Sequence, residues 1–186
     1  MIEKSELRKH YKKIRMQMPL KDKCDKDIRI FENFTALDEY KKSKDVLVYV
    51  SSYIEVDTHR IINKCFQDGK RVFAPRCVPD SNDMNFYEIK SFDDLEQGAF
   101  GIYEPKQKCI RIESFEKACC IVPALAYDQS GYRLGFGKGF YDKFLSNFNG
   151  KQIGICYSSC ICGCLPHEKH DVAIEIVVTD DSKSML

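Results

Sequence analysis

A strand–helix–strand pattern in the first half of the chain most limits the folds that are open to it. The segments VLVYV (46–50) and RVFAP (71–75) are short, apolar and β-branched, which is typical of buried strands. Between them, apolar side chains recur at helical spacing, after an N-cap at Asp57 or Thr58 and before a stop at Gly69. Two strands joined in this way pair in parallel through a right-handed crossover. The pattern therefore predicts a parallel sheet.

The other segments extend this alternation of helices and strands. Apolar stripes predict a first helix that Pro19 ends, and a second helix over 22–41. Further elements are predicted as strands at 84–89 (two-faced, suited to antiparallel pairing), 119–128 (a buried strand that runs into a loop), 152–157 and 174–180, and as a helix at 140–148. We therefore predict an α/β class, as a single-domain layered fold over residues 1–186, with a mostly parallel central sheet flanked by helices.

Composition excludes several classes of protein. The chain has 186 residues and a formal net charge of +1, so no overall field attracts it to nucleic acid or to a membrane. No apolar run approaches the length of a membrane span, and the charged N-terminus lacks the apolar stretch of a secretory signal. We expect a cytoplasmic monomer that binds neither nucleic acid nor membrane.

The ten cysteines do not predict a disulfide framework. Several lie in apolar runs, and the chain carries no secretory signal, so we expect reduced and partly buried thiols. A zinc site remains an alternative for one cluster, although its CxCxC spacing is not the paired CxxC of zinc sites. That cluster comprises Cys160, Cys162 and Cys164, with His167 and His170 nearby.

The segment RLGFGKGFYD (133–142) carries the strongest indication of chemistry. Its glycines stand at every second position, which lets backbone N–H groups approach a ligand closely. Arg133 and Lys138 add positive charge, and Asp142 adds a carboxylate. Together these groups suit a polyphosphate and the Mg²⁺ that accompanies it. A plain turn is the alternative, because the loop matches neither the P-loop nor the dinucleotide-binding pattern.

The predicted sheet also gives this loop a location. Ligands of such sheets bind beyond the carboxyl ends of the strands, and the glycine loop follows the strand predicted at 119–123. The loops after the two strands of the first pattern should lie on the same rim. They carry Glu55, Asp57, Thr58 and Arg76.

The longer segment VPALAYDQSGYRLGFGKGFYDKFL (122–145) closely resembles the signature of the 5-formyltetrahydrofolate cyclo-ligase family, also known as 5,10-methenyltetrahydrofolate synthetases. Phe140 stands where that family usually has tyrosine, and Ala124 where glycine is common. Further blocks resemble the family in order along the chain: Lys4 to Arg8, Glu55 to Thr58, Phe73 to Arg76, Leu165 to Asp171, and 174–180. The resemblance implies an ATP- and Mg²⁺-dependent enzyme that converts 5-formyltetrahydrofolate to 5,10-methenyltetrahydrofolate and releases ADP and phosphate.

The resemblance also implies roles for individual residues. It makes Lys138 and Arg133 catalytic, with Lys138 stabilising charge on the γ-phosphoryl oxygens, and it makes Asp142 and Asp171 the Mg²⁺ ligands. The implied ATP contacts are Lys4, Arg8, Arg133, Leu134, Gly135, Phe136, Gly137, Lys138, Gly139, Phe140 and Tyr141. The implied folate contacts are Val50, Glu55, Phe136, Gly137, Lys138, Gly139 and Phe140.

Each of these assignments has a structural alternative. Lys4 and Arg8 could only solvate a helix face, Glu55 could precede and cap a helix, Asp171 could belong to a turn, and Tyr141 could be a core residue. For the whole protein, two alternatives are a sugar-phosphate isomerase or CoA-transferase relative on a similar scaffold, and a non-catalytic folate- or nucleotide-binding protein. A nucleic-acid binder is disfavoured by the near-neutral charge.

Overall fold

The computed structural model describes residues 3–98, 101–168, 171–181 and 183–185, and its centre is a seven-stranded sheet. The helices are α1 (Lys4–Met16), α2 (Leu20–Thr35), α3 (Asp38–Lys42), α4 (His59–Gln67) and α5 (Phe140–Leu145). The strands are β1 (Asp45–Leu47), β2 (Arg71–Cys77), β3 (Met84–Ile89), β4 (Leu95–Gln97), β5 (Tyr103–Pro105), β6 (Ala118–Val122), β7 (Ala126–Asp128), β8 (Arg133–Leu134), β9 (Lys151–Ile155), β10 (Ile161–Cys162), β11 (Ile176–Val178) and β12 (Lys183–Met185).

The central sheet is mostly parallel, as the sequence predicted. Its strands follow the order β12-β11-β9-β6-β1-β2-β3. The five inner strands pair in parallel, and β3 and β12 pair antiparallel at the two edges. Val46 of β1 is fully buried between Val72 of β2 and Cys119 of β6, because helices cover both faces of such a sheet. The predicted α/β class and layered architecture are confirmed.

The first crossover forms as the sequence predicted, and the structure gives Asp57 and Thr58 different roles at the start of its helix. α4 connects β1 to β2 and buries Ile61 and Ile62 completely. Thr58 is the N-cap residue but makes no side-chain cap, and the carboxylate of Asp57 before it accepts the His59 N–H at 2.9 Å. Thr58 instead donates its hydroxyl to Tyr49 O at 2.7 Å and is fully buried. Thr58 therefore fixes the chain that leaves β1.

Several predicted elements are shorter or divided. The run predicted at 119–128 breaks at Pro123, which has no N–H for the ladder, so β6 ends at Val122 and β7 joins a separate sheet of order β10-β7-β8. The helix predicted over 22–41 divides at Leu37, which turns to bury its side chain, and α1 ends before Pro19, which precedes α2. The helix predicted at 140–148 ends at Leu145, and the strands predicted at 46–50, 152–157 and 174–180 are shortened to β1, β9 and β11.

The turn between β7 and β8 positions the glycine loop that follows. The buried Asp128 carboxylate accepts backbone N–H groups from Ser130, Tyr132 and Leu165 at 2.9 to 3.0 Å. Gly131 has a φ of +82°, and a Cβ there would lie 2.3 Å from Ile174 O. Only glycine fits this turn, which leads directly into β8.

Arg15 fastens α1 to the other end of this hairpin. Its side chain is buried, and one guanidinium nitrogen donates to Ala124 O at 2.6 Å and to Leu125 O at 2.8 Å. These carbonyls lie in the chain between β6 and β7, where no strand partner satisfies them. The helix that carries Lys4 and Arg8 is thereby held against the glycine-loop side of the fold. Within the described residues, no helix is long and apolar enough to cross a membrane.

Asp180 gives the fold a pH-dependent contact between the sheet and α2. Its fully buried carboxylate accepts hydrogen bonds from Ser158 N at 2.7 Å and Ser158 Oγ at 2.9 Å, and pairs with Lys26. Burial alone would raise the pKa of Asp180, but the hydrogen bonds from Lys26 and Ser158 outweigh it and lower the pKa below its ordinary value. The carboxylate therefore stabilises the folded state above its unfolded pKa.

We expect Asp180→Asn to lower the free energy of unfolding by about 2 kcal/mol at neutral pH, because it removes the charge that these donors meet. The difference from wild type should shrink as the pH falls through the lowered folded-state pKa, where wild type also becomes protonated. Urea denaturation at about pH 7, 5 and 3 measures this, with the exposed neighbour changed in Asp181→Asn as the control. A loss that stays equal at all three pH values would contradict the assignment.

Candidate functional site

A cavity of about 710 Å³ lies beyond the carboxyl ends of three central strands. Val50 follows β1, Pro75 lies near the end of β2, and Pro123 follows β6, and all three line it. The glycine loop closes the cavity from the side. A volume of this size is typical of small-molecule sites.

The glycine loop forms a wall of this cavity with backbone rather than side chains. Gly137 and Gly139 have φ values of +98° and +73°, which favour glycine. Arg8 Nε donates to Gly135 O at 3.0 Å, and a Cβ on Gly137 would lie 3.1 Å from Arg8 Cζ. The loop therefore needs glycine at position 137 to accommodate the guanidinium. Every predicted ATP-contact residue from 133 to 141 lines the cavity.

Four cations and two acids of the predicted site line the same cavity. The cations are Lys4, Arg8, Arg133 and Lys138, and the acids are Asp142 and Asp171. Lys4 Nζ lies 2.9 Å from Asp171 Oδ2, and Arg133 lies 2.6 Å from Asp142 Oδ1. The alternative that Lys4 and Arg8 only solvate a helix face is wrong, because both contact residues more than a hundred positions away.

Arg133 is held more firmly than a surface cation. Only 4% of its side chain is exposed, and it also donates to Val172 O at 2.9 Å. A guanidinium held in this way fixes the orientation of the Asp142 carboxylate. Arg133 thus connects the glycine loop to the segment that carries Asp171.

The two carboxylates offer the oxygen donors that Mg²⁺ prefers. Asp171 also belongs to a turn, since its Oδ2 accepts the Glu168 N–H at 2.8 Å and its own N–H donates to Glu168 O at 3.1 Å. In the described ranges no group of three or more His, Cys, Asp or Glu residues could hold a metal by itself. A cation here would complete its shell with ligand oxygens and water, which is how Mg²⁺ usually binds. The residues therefore fit Mg²⁺ bound with a polyphosphate.

The predicted folate contacts Val50 and Glu55 also line the cavity. Glu55 Oε2 accepts hydrogen bonds from Ser52 N at 2.8 Å and Ser52 Oγ at 2.7 Å, so one oxygen closes its own turn. Tyr141 packs its ring against Phe86 at a centroid distance of 6.4 Å, and burial raises the pKa of its hydroxyl well above the ordinary value. Its buried Oη finds no hydrogen-bond partner in the described part of the chain. Tyr141 therefore remains a donor for a ligand.

Some residues expected on this rim lie elsewhere. Arg76 pairs with Glu96 at 2.7 Å and donates to Pro105 O, so it fastens the β4–β5 hairpin to β2. Asp57 lines a separate groove of about 380 Å³, and Thr58 is fully buried. The strands themselves were predicted, but the direction of each side chain at their ends depends on a register that local sequence does not define.

Sequence reasoning missed a second wall of the cavity. It is formed by residues of β2, β3 and the β4–β5 hairpin: Cys77, Met84, Ile102, Tyr103 and Glu104. The sequence patterns predicted no strand for the segments that form β4 and β5. The alternation in MNFYEI was the one available signal, since it predicted that β3 has a buried face.

The cysteine cluster does not form a metal site among the described residues. All ten cysteines are free thiols in the structure. Cys160 is buried, and the His167 ring stacks on Tyr132 with centroids 3.7 Å apart. His170, the other histidine considered, lies outside the described residues.

Comparison with known proteins finds relatives of one family, and they match most of the chain. The profile of the 5-formyltetrahydrofolate cyclo-ligase family matches residues 1–180. A 5-formyltetrahydrofolate cyclo-ligase of Mus musculus is 27% identical over 95% of this chain and 93% of its own, and a probable one of Schizosaccharomyces pombe is 31% identical over 83% of each. The structure of Aquifex aeolicus 5,10-methenyltetrahydrofolate synthetase has a TM-score of 0.84 and 30% identity, and the match covers 98% of this chain and 92% of that one.

These matches confirm the resemblance on which the sequence interpretation depended. The family match spans the N-terminal helix, the glycine loop and the strands around the cavity. They also confirm the predicted enzyme class and its folate substrate. This chain therefore belongs to the 5-formyltetrahydrofolate cyclo-ligase family.

Proposed function

We propose that the protein uses ATP to cyclise 5-formyltetrahydrofolate to 5,10-methenyltetrahydrofolate in this cavity, with release of ADP and phosphate. One observation carries the proposal: a single cavity has cations and bare glycine backbone in one wall, and apolar and aromatic side chains in another. The first wall suits a triphosphate and the second suits a pteridine ring. Both substrates of the reaction thus find a matching surface in one space.

ATP binding is assigned to the glycine loop and the cations around it. Lys4 and Arg8 lie one turn apart on α1, so both face the cavity from the same side. Gly135, Gly137 and Gly139 let the backbone approach the phosphates without side chains between them. Arg8 holds the loop in this conformation through its bond to the Gly135 carbonyl.

The chemistry requires two substrates to be aligned rather than a nucleophile on the enzyme. The formyl oxygen attacks the γ-phosphorus of ATP, the bond to the bridging oxygen breaks, and ADP leaves. N10 then attacks the activated formyl carbon and gives up its proton to water, and the carbon–oxygen bond to phosphate breaks. Positioning and stabilisation of negative charge account for catalysis of such steps. Lys138 is the residue we assign to the charge on the γ-phosphoryl oxygens.

Two further assignments concern the carboxylates beside the phosphates and the arginine that contacts one of them. Asp142 and Asp171 would hold Mg²⁺, which when bound would neutralise phosphate charge. Because the Arg133 side chain is almost fully buried against Asp142, we assign Arg133 to positioning that carboxylate, with any ATP contact made by the same fixed guanidinium. Val50 and Glu55 are assigned to folate, Leu134 and Tyr141 to ATP, and Phe136 and Phe140 border both ligands.

We further propose that the chain acts as one domain and as a monomer in the cytoplasm, without nucleic acid or membrane. One continuous sheet carries both walls of the cavity, which supports a single functional unit.

A direct assay tests the function. Protein, 5-formyltetrahydrofolate and MgATP are mixed, and the absorbance of the methenyl product is followed together with ADP release. We expect one ADP for each methenyl product and no product when ATP is omitted. Folded protein that binds both substrates but forms no product would contradict the proposal and favour the non-catalytic binding alternative.

A further inference from the structure

Glu104 is a buried carboxylate in the cavity wall that none of the assignments above uses. It is the central residue of β5, and only 3% of its surface is exposed. The residues beside it in the cavity wall include Cys77, Met84 and Ile102, which are apolar. No ion pair reaches Glu104 within the described residues. A buried carboxylate without a cation is costly unless some other donor satisfies it.

The position of this carboxylate is fixed by its surroundings. Cys77 N–H donates to Glu104 Oε1 at 3.2 Å. A Cβ on Gly98 would lie 2.4 Å from Glu104 Oε2, so the glycine leaves the space that this oxygen fills. Arg76 holds the hairpin itself, through Glu96 on β4 and the Pro105 carbonyl on β5. The carboxylate is therefore preorganised at the cavity wall.

The neighbouring thiol does not compete for a ligand donor. Burial, followed by the charge of Glu104, raises the pKa of Cys77 to about 11. The thiol thus stays protonated and neutral at physiological pH. The described residues give Glu104 two donors, the Cys77 N–H and the protonated Cys77 thiol, and a carboxylate that can accept several hydrogen bonds keeps acceptor capacity beyond them.

The chemistry of the two substrates decides what Glu104 can bind. Phosphate is excluded from this place by like charge. Adenine offers an amino donor beside the acceptor N1, so only one carboxylate oxygen would be satisfied. The pterin ring of 5-formyltetrahydrofolate offers N3–H and the 2-amino group side by side, and two parallel N–H donors match a carboxylate.

We propose that Glu104 recognises the pterin ring by accepting hydrogen bonds from its N3–H and 2-amino donors, and so determines specificity for the folate substrate. This inference rests on the proposed function. Glu55 keeps its own assignment to folate, with its Oε2 already accepting both hydrogen bonds from Ser52. Glu104 thereby places the pyrimidine edge of the pterin against the β4–β5 hairpin.

Glu104→Gln tests this assignment, because the amide keeps the shape but turns one acceptor into a donor. We expect the Kd and KM for 5-formyltetrahydrofolate to rise at least about tenfold, with the KM for ATP within about twofold of wild type. Glu113→Gln is the control, since Glu113 is exposed and does not line the cavity. It should leave the folate Kd within about twofold.

A substrate analogue separates recognition from a structural effect. In this analogue a methyl group replaces the 2-amino group of the pterin. Wild type should bind it at least about tenfold more weakly than 5-formyltetrahydrofolate, and Glu104→Gln should discriminate much less between the two. Calorimetry on the folded proteins measures both affinities.

The outcomes distinguish this inference from the proposed function. Wild type that forms product while Glu104→Gln keeps the wild-type folate Kd would overturn the inference alone. The same holds if wild type binds the analogue as tightly as the substrate, a measurement that needs no variant. Wild type that neither binds nor converts 5-formyltetrahydrofolate would overturn both.

Discussion

Lys138→Ala should lower kcat by about 100- to 1000-fold while the folded state is unaffected. Lys138 is exposed at the centre of the glycine loop, between two glycines whose positive φ values shape the backbone there. In the function proposed above, the ammonium contacts the γ-phosphoryl oxygens, on which charge is redistributed during transfer. Its loss removes stabilisation that is largest in the transition state, so kcat should fall more than the KM for folate rises.

Two further variants test whether the effect depends on a positive charge at position 138 or follows from the loss of any nearby lysine. Lys138→Arg should retain part of the activity, since it keeps the charge but not the compact ammonium. Lys143→Ala removes a lysine that is 55% exposed, pairs with Asp83 at 2.6 Å and does not line the cavity, so it should retain nearly full activity. Lys138→Ala with wild-type kcat, or Lys143→Ala with an equal loss, would show that Lys138 does not serve the transition state.

The parallel core of the fold could be predicted because it depends on local pattern. β-branched runs separated by one amphipathic helix leave few topologies, and β1, α4 and β2 formed as expected. The two edge strands differ. β3 was predicted because its apolar and polar residues alternate. β12 was not predicted, because it is three residues long and pairs with β11 only after the chain reverses.

The errors in element bounds have a common physical cause. The apolar composition continues on both sides of Pro123, because it reflects burial of the side chains and not the pairing of strands. The division between β6 and β7 depends on which neighbour offers hydrogen-bond partners, and Arg15 supplies donors to the carbonyls in between from more than a hundred residues away. The spacing of residues in the sequence does not predict such a long-range contact.

The site was predictable on one side only. The glycine loop can be recognised from local sequence, because alternating glycines beside two cations are unusual in a purely structural turn. Glu104 had no such signal. It lies in a loop-like segment, and its burial depends on Gly98 and on the end of β2.

Asp142→Asn should raise the Mg²⁺ concentration for half-maximal rate by about tenfold or more, because a neutral amide is a much weaker ligand for a hard cation. Asparagine keeps an oxygen for Arg133, which lies 2.6 Å from Asp142 Oδ1, so the local geometry should survive. The rate and the binding of ADP are each titrated with Mg²⁺, the second by calorimetry. Asp83→Asn is the control, since Asp83 is half-exposed and pairs with Lys143 outside the cavity.

The Mg²⁺ titration distinguishes two roles that Asp142 could have. If the carboxylate binds the cation, added Mg²⁺ should restore part of the lost rate, and ADP binding should need more Mg²⁺ in the variant. If Asp142 serves only to neutralise the buried Arg133, the rate should fall by one factor at every Mg²⁺ concentration, and stability should fall with it, because an unpaired buried guanidinium is costly. Unchanged half-saturation in both titrations would therefore leave Asp142 as the partner of Arg133 and remove it from the metal site.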